Sequence, residues 1–161
     1  MYTLEPLREA HRRAVVDIFN VHVAQGGGTF FEEPVSAAFF DLLLRAVGDH
    51  PAQAATANGR LAGFSLLRPY HTLPVFRRTA EISTFLAPEH MGKGLGALLL
   101  AEMENLAKAR QIDNLLAAIA ADNAISLSFH GKQGFQLCGR FARIGVKQGN
   151  DLDVVWMQKV L

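Results

Sequence analysis

The stretch that most constrains this sequence runs from a strand through a glycine turn into a helix. Residues 79–87 are rich in β-branched and aromatic side chains and precede Pro88, which predicts a strand ending there. Residues 91–96 read Met-Gly-Lys-Gly-Leu-Gly. Apolar side chains then recur with helical spacing at Leu95, Leu98, Leu99, Met103, Leu106 and Ala107. Any fold for this chain must therefore contain a tight turn from a strand into a long helix.

The glycine turn is suited to binding an anion. Gly92, Gly94 and Gly96 let the backbone approach a ligand without Cβ clashes. Their amides precede a helix, where partial positive charge accumulates, so a phosphate or pyrophosphate is the expected guest. A tight connection without any ligand is the alternative, and the turn alone does not decide between them.

Two phosphate-binding motifs can be compared with this turn. A P-loop needs Ser or Thr after its lysine, whereas Gly94 follows Lys93, so this motif is absent. A dinucleotide fingerprint passes through Gly92, Gly94 and Ala97, with Asp113 downstream for a ribose contact. That fingerprint belongs after the first strand of a larger domain, and here too little chain follows it. NAD binding stays open as an alternative.

The turn also resembles the acetyl-CoA pyrophosphate loop of the GCN5-related N-acetyltransferases (GNAT), Arg/Gln-x-x-Gly-x-Gly/Ala. Met91 stands where that family usually has Arg or Gln. Segments 29–36, 77–83, 122–126 and 130–135 are similar, in order, to blocks of the phosphinothricin acetyltransferase branch. The resemblance implies acetyl-CoA-dependent N-acetylation of a small amino-acid-like acceptor, such as phosphinothricin, methionine sulfoximine or methionine sulfone.

The length predicts one domain over residues 1–161. The element order reads β-α-α-β-β-β-α-β-α-β-β, and the resemblance implies its topology: an α/β (mixed α+β) acyl-CoA acyltransferase fold. That fold has a mixed, mostly antiparallel central sheet with helices on both faces. The second helix is predicted over 36–47 with Ser36 as its cap, and its apolar side chains cover more than one face. Residues 114–120 predict a strand buried on both faces, because they are almost wholly apolar.

Composition narrows the classes of function. The formal net charge of +1 suggests no nucleic-acid partner, and no apolar run is long enough to span a membrane. Cys138 is the only cysteine and the N-terminus lacks a signal-peptide segment, so we expect a cytoplasmic protein. The six histidines show no metal-ligand spacing, and no metal is expected. Relatives and the broad apolar girth of the second helix favour a homodimer.

Two residues are candidates for catalysis. The attacking amine must be neutral, and a carboxylate can take its proton directly or through water. Glu81 aligns with the catalytic glutamate of the family; alternatively, it is a surface residue paired with Arg77 or Arg78. His130 occupies the position of a family tyrosine that protonates the leaving thiolate. A neutral imidazole could orient the thioester sulfur and an imidazolium could donate a proton, or His130 is structural.

The resemblance also implies the cofactor contacts. The arm of acetyl-CoA would run along Thr84, Phe85 and Leu86 like an added strand, with the amide of Phe85 or Leu86 polarising the thioester carbonyl. Asn123 would contact that arm, or serve as a helix cap. The other predicted cofactor-binding residues are Met91, Gly92, Lys93, Gly94, Leu95, Gly96 and Ser126. Met91 removes a possible cation–phosphate bond, and Lys93 could supply that charge instead.

Acceptor recognition is predicted at Phe30, Tyr70 and Arg77, with Arg77 pairing a free carboxylate. His71 stands where this branch frequently has arginine, and Phe76 where it has tyrosine. Both changes remove polar groups that are suited to the recognition of a phosphinate or sulfoximine. Two other functions stay open: acetylation of a peptide N-terminus or an aminoglycoside, and CoA binding without catalysis.

Overall fold

A computed structural model describes all residues, 1–161, of the chain. Its seven strands are β1 (Thr3–Pro6), β2 (Ala52–Ala57), β3 (Arg60–Pro69), β4 (Thr79–Leu86), β5 (Asn114–Ala120), β6 (Gln136–Lys147) and β7 (Asn150–Val160). Its four α-helices are α1 (Arg12–Gln25), α2 (Phe39–Val47), α3 (Leu95–Ala109) and α4 (Ala124–Lys132). The predicted order of strands and helices is confirmed.

The strands form one sheet in the order β1-β2-β3-β4-β5-β7-β6. Every neighbouring pair is antiparallel except β4 and β5, which are parallel. This parallel ladder covers only Thr79 to Glu81 opposite Asn114 to Leu116. Beyond Glu81 the two central strands no longer pair, and an opening begins in the middle of the sheet.

Helices cover both faces of the sheet, as predicted. On one face, Leu100 and Met103 of α3 pack against a cluster that includes Ile82 and Leu115. On the other face, Val15 of α1 and Phe40 and Leu43 of α2 pack against Phe64 and Leu66. Each such side chain stabilises the fold by roughly 1.5–3 kcal/mol when fully buried. The first cluster joins β4 and β5 through Ile82 and Leu115, and the second covers β3 and the end of β4. None of the helices is both long and apolar enough to cross a membrane.

Three local predictions were wrong. Helix α2 begins at Phe39, and no side chain caps it, so Ser36 is not its cap. In β5 the buried residues alternate with half-buried ones, because the second face of the strand lines the opening. On α3, Leu98 is 42% exposed and Leu100 takes its expected place in the core.

Candidate active site

A cavity of about 380 Å³ fills the opening between β4 and β5. Its walls come from β3, β4, β5, α2, α4 and the loop between α1 and α2. Of the residues predicted for the site, this cavity brings together Phe30, Glu81, Thr84, Phe85, Asn123, Ser126 and His130. These residues come from three separate parts of the chain, and only the fold makes them neighbours.

The backbone of β4 presents an unpaired edge to this cavity. The amide of Ala87, just after β4, donates to the carbonyl of Ala62 at 2.9 Å, so this residue faces β3. Alternation along an antiparallel strand then directs the backbone of Phe85 toward β3 as well, and the backbones of Thr84 and Leu86 toward the open edge. Of the two amides predicted to polarise a carbonyl, that of Leu86 is the one facing the opening.

The carbonyl of Leu86 already has a partner. Nε2 of His22, on α1, lies 2.9 Å from this oxygen, and a carbonyl can only accept, so His22 is the donor. His22 in turn needs a glycine beside it, because a Cβ on Gly28 would lie 2.4 Å from its Nδ1. His22 thereby ties the end of β4 to α1, and the amide of Leu86 is the backbone group left free.

The glycine turn offers a row of unused donors. The amide of Met91 donates to the carbonyl of Pro88 at 3.2 Å, but no amide from Gly92 through Gly96 meets a protein acceptor. Gly92 and Gly94 have φ of +71° and +82°, a left-handed conformation that favours glycine. A Cβ at either position would meet nothing within 4 Å, so the turn is open to a ligand. Free amides ahead of a helix are what a diphosphate requires.

The side chains around this turn differ in burial, and the exposed ones include a charged group. Leu95 is fully buried and fixes the start of α3 in the core, whereas Lys93 is exposed. Lys93 is therefore available to approach a phosphate. Met91 is also exposed, but its amide already donates to Pro88, so it has no free amide to offer an anion.

Glu81 is paired with an arginine that sequence reasoning missed. Nη2 of Arg68 donates to Oε2 of Glu81 at 2.9 Å, directly across from β3 to β4. The alternative pairing of Glu81 with Arg77 or Arg78 is therefore wrong. The side chain of Glu81 is 20% exposed and that of Arg68 is 43% exposed, although Nε of Arg68 is buried without a partner. Both residues line the cavity.

The surroundings of His130 determine which of its nitrogens carries a proton. Nδ1 lies 2.8 Å from the carbonyl oxygen of Ser126, which can only accept, so Nδ1 is protonated and the neutral ring keeps a lone pair on Nε2. Burial lowers the pKa of His130 from its ordinary value of 6.5, and the Ser126 carbonyl opposes that shift only in part. Burial therefore favours the neutral ring of His130, whose Nε2 is available as an acceptor.

Asn123 uses both ends of its amide within the protein. Its Oδ1 accepts from the amide of Ser126 at 3.1 Å and caps α4. Its Nδ2 donates to the carbonyl of Gly27 at 2.8 Å. Its Oδ1 keeps a second lone pair and its Nδ2 a second N–H, so a contact with the cofactor arm could be added to these two bonds. Ser126 itself lines the cavity.

A second side chain clamps the segment that Asn123 contacts, which we call the glycine loop (Gly26–Thr29). Nζ of Lys147, near the end of β6, donates to the carbonyl of Gly26 at 2.8 Å and to the carbonyl of Thr29. With Asn123, it ties the glycine loop across the opening to the far side of the cavity. Lys147 gave no sequence signal, because its partners are backbone atoms more than a hundred residues earlier in the chain.

The other predicted acceptor residues lie in different places. Phe30 lines the cavity and is 47% exposed. Tyr70 packs edge-on against Phe76, outside the cavity lining, with ring centroids 5.6 Å apart. Arg77 donates to the carbonyl of Pro74 and lines a separate surface depression. The structure does not bring Tyr70 or Arg77 to Glu81, and their part in acceptor binding stays a prediction.

No group of three or more histidine, cysteine, aspartate or glutamate side chains is arranged to hold a metal ion. The charged side chains of the cavity are those of Arg68 and Glu81, beside the neutral ring of His130. The arrangement thus combines one carboxylate, one guanidinium, one imidazole acceptor and an unpaired strand edge. These groups suit proton transfer and carbonyl polarisation.

Comparison with known proteins agrees with this geometry. The family model described as the Acetyltransferase (GNAT) family matches residues 15–135. An L-methionine sulfoximine/L-methionine sulfone acetyltransferase of Pseudomonas paraeruginosa is 32% identical, covering 89% of this chain and 86% of that protein. The solved ribosomal-protein-alanine N-acetyltransferase of Brucella melitensis is 31% identical, with a TM-score of 0.92 and 99% of each chain covered. A GNAT superfamily phosphinothricin acetyltransferase from Sinorhizobium meliloti, in complex with acetyl-CoA, is 29% identical, with a TM-score of 0.91 and 99% and 88% covered.

Proposed function

This chain belongs to the GNAT family of acetyltransferases, and from that membership we propose that its acceptor is the primary amine of a small amino-acid-like molecule. It is an N-acetyltransferase whose acetyl donor is acetyl-CoA, the ligand of its S. meliloti relative. Membership in this family also argues against the alternative of NAD binding at the glycine turn. Acceptors of the phosphinothricin, methionine sulfoximine and methionine sulfone type are the candidates. We further propose a single domain over residues 1–161 that acts as a cytoplasmic homodimer.

The residues present fit acetyl-CoA. The free amides from Gly92 to Gly96 and the ammonium of Lys93 suit its diphosphate, and the unpaired edge at Thr84 and Leu86 suits the amides of its arm. When bound, it supplies an acetyl group activated as a thioester. The free amide of Leu86 is the donor in place to polarise that carbonyl.

Glu81 is proposed as the proton acceptor. Its Oε2 is held by Arg68, while its Oε1 has no protein partner and stays available. As the neutral amine nitrogen bonds to the acetyl carbon, the carbon–sulfur bond breaks and the sulfur leaves as the thiolate of CoA; the nitrogen then loses one proton, which Glu81 takes directly or through water. Neutral His130 serves to orient the reacting groups through the lone pair on Nε2. No covalent enzyme intermediate is needed.

One observation carries this proposal: the carboxylate of Glu81 and the free amides of the glycine turn lie along one strand-to-helix segment, and both border the unpaired edge of β4. A second candidate function, acetylation of a peptide N-terminus, is favoured by the name of the B. melitensis relative. The two functions differ in whether the acceptor carries a free carboxylate beside its amine.

The test combines binding with turnover. Thermal-shift measurements with acetyl-CoA and CoA report cofactor binding, and free-thiol release reports transfer to a panel of amino acids, amino-acid amides and short peptides. Glu81→Gln should lower turnover by roughly 10²–10⁴-fold while the thermal shift with CoA persists. Glu102→Gln, on α3 and outside the cavity lining, is the control and should leave turnover unchanged. Unchanged turnover in Glu81→Gln would contradict the role of base, and binding without transfer to any acceptor would favour a non-catalytic module.

A further inference from the structure

The cavity contains one positive and one negative side chain in otherwise mostly apolar surroundings. Arg68 and Glu81 lie 2.9 Å apart, and His130 is neutral. The wall beyond them is apolar and is built largely from α2 and the loop before it. Its members there are Phe30, Phe31, Phe39, Leu42, Leu43 and Ala46.

Arg68 has donors that the protein does not use. Of its guanidinium nitrogens, only Nη2 makes a hydrogen bond within the protein, and Nε is buried without an acceptor. Leaving a buried donor unpaired is unfavourable, and a guanidinium is shaped to hold a carboxylate through two N–H groups. Nε has almost no exposed surface, so the donors that a ligand in the cavity can reach are the unused N–H groups of Nη1 and Nη2, and these are what an anion would join.

An α-amino acid complements such a pair of charges. Its carboxylate and ammonium lie on the same carbon, close enough together to face Arg68 and Glu81 at the same time. We propose that Arg68 selects acceptors with a free α-carboxylate and an uncharged, apolar side chain, which the α2 wall receives. This inference rests on the proposed function and names the residue that sets its specificity.

The same charge balance disfavours acceptors with further charges, which ranks the candidates of the proposed function. A phosphinate on the side chain adds a second anion, and an aminoglycoside adds several cations, with no further charged side chain in the cavity lining to pair them. Burying an unpaired charge is strongly unfavourable. We therefore expect phosphinothricin to be a poorer acceptor than leucine, methionine or phenylalanine.

The experiment compares acceptors that share an amine and a side chain but differ in the carboxylate. L-Leucine, L-leucinamide and isoamylamine are assayed by thiol release with wild type, Arg68→Met and Arg68→Lys. Arg60→Met, exposed on the same strand, is the matched control. Arg68→Met should lower kcat/KM for leucine about 100-fold more than kcat/KM for isoamylamine, since the loss of the partner of Glu81 affects both acceptors but a charge-assisted pair is lost only with leucine. Arg68→Lys should lie between, and Arg60→Met should match wild type.

Comparing variants on the same acceptor cancels differences in amine basicity. If Arg68→Met lowers kcat/KM for leucine and for isoamylamine by the same factor, Arg68 acts only as the partner of Glu81 and the inference is overturned. Preference of the wild type for leucinamide or peptides, or for phosphinothricin over leucine, also overturns it.

Calorimetry with CoA present separates this inference from the proposed function. If no acceptor is acetylated, the proposed function fails, and leucine binding still decides the role of Arg68. Binding to wild type but not to Arg68→Met supports carboxylate selection, whereas equal binding or no binding to either protein overturns it.

Discussion

Replacing Asn123 with alanine removes two hydrogen bonds that point in opposite directions. Oδ1 caps α4 through the amide of Ser126 at 3.1 Å, and Nδ2 holds the glycine loop through the carbonyl of Gly27 at 2.8 Å. Loss of an N-cap costs about 1 kcal/mol, and loss of a partly buried hydrogen bond costs about 1 kcal/mol more. Asn123→Ala should therefore lower the free energy of unfolding by about 2 kcal/mol.

A second variant separates the contributions of the two hydrogen bonds to the free energy of unfolding. Asn123→Asp keeps an oxygen that can cap α4, and its negative charge suits the start of a helix. It loses the donor to Gly27 and sets a carboxylate against a carbonyl, so it should lose about 1 kcal/mol. Asn105→Ala, on the exposed surface of α3, is the control and should lose nothing.

Urea denaturation followed by the fluorescence of Trp156, the single tryptophan, measures these differences. Equal losses in the alanine and aspartate variants would refute the capping argument. A loss below about 0.5 kcal/mol for alanine would refute both contributions. The KM for acetyl-CoA adds an independent readout: if Asn123 also contacts the cofactor arm, this KM should rise in variants whose stability is nearly preserved.

Two further predictions concern the cavity wall. Lys147→Met removes the donor to the carbonyls of Gly26 and Thr29. Urea denaturation should therefore show a free energy of unfolding lower by about 2 kcal/mol, and limited proteolysis should cut the glycine loop faster. Unchanged proteolysis would contradict the clamp. Because burial lowers the folded-state pKa of His130, the stability contributed by its neutral ring is present above about pH 6.5 and is lost as pH falls through the folded-state pKa. His130→Gln should flatten that part of the dependence of unfolding free energy on pH, and an unaltered slope would count against a buried neutral histidine.

Local sequence signals determine where some elements of the fold begin and end. Helix α4 spans Ala124–Lys132, and it begins there because Asn123, for which a helix cap is one of the two predicted roles, supplies a strong local cap. The turn between β2 and β3 is formed by the pair Asn58 and Gly59, which adopt φ of +50° and +74° as a tight hairpin turn requires. In both cases, the residues that determine the structure are adjacent in sequence.

The start of α2 was misplaced because distant side chains replace the expected cap. The amide group of Asn20, on α1, bonds both the N–H and the carbonyl of Val35, at 2.8 and 3.0 Å. Nη1 of Arg12 donates to the carbonyl of Ala37 at 2.9 Å. These bonds hold residues 35–37 outside the helix, and no pattern within the segment itself predicts them.

The partner of Glu81 depends on strand register in the same way. Arg77 and Arg78 are nearer in sequence, but Arg78 pairs with Asp113 next to β5 and Arg77 turns back to its own loop. Arg68, 13 residues away, lies directly opposite because of how β3 and β4 align across the loop that joins them. A shift of one residue in that alignment would set Leu67 or Pro69 opposite Glu81 and leave the carboxylate without its cation. The charge pair in the cavity is therefore a product of tertiary register, which explains why the sequence identified the carboxylate but not the arginine beside it.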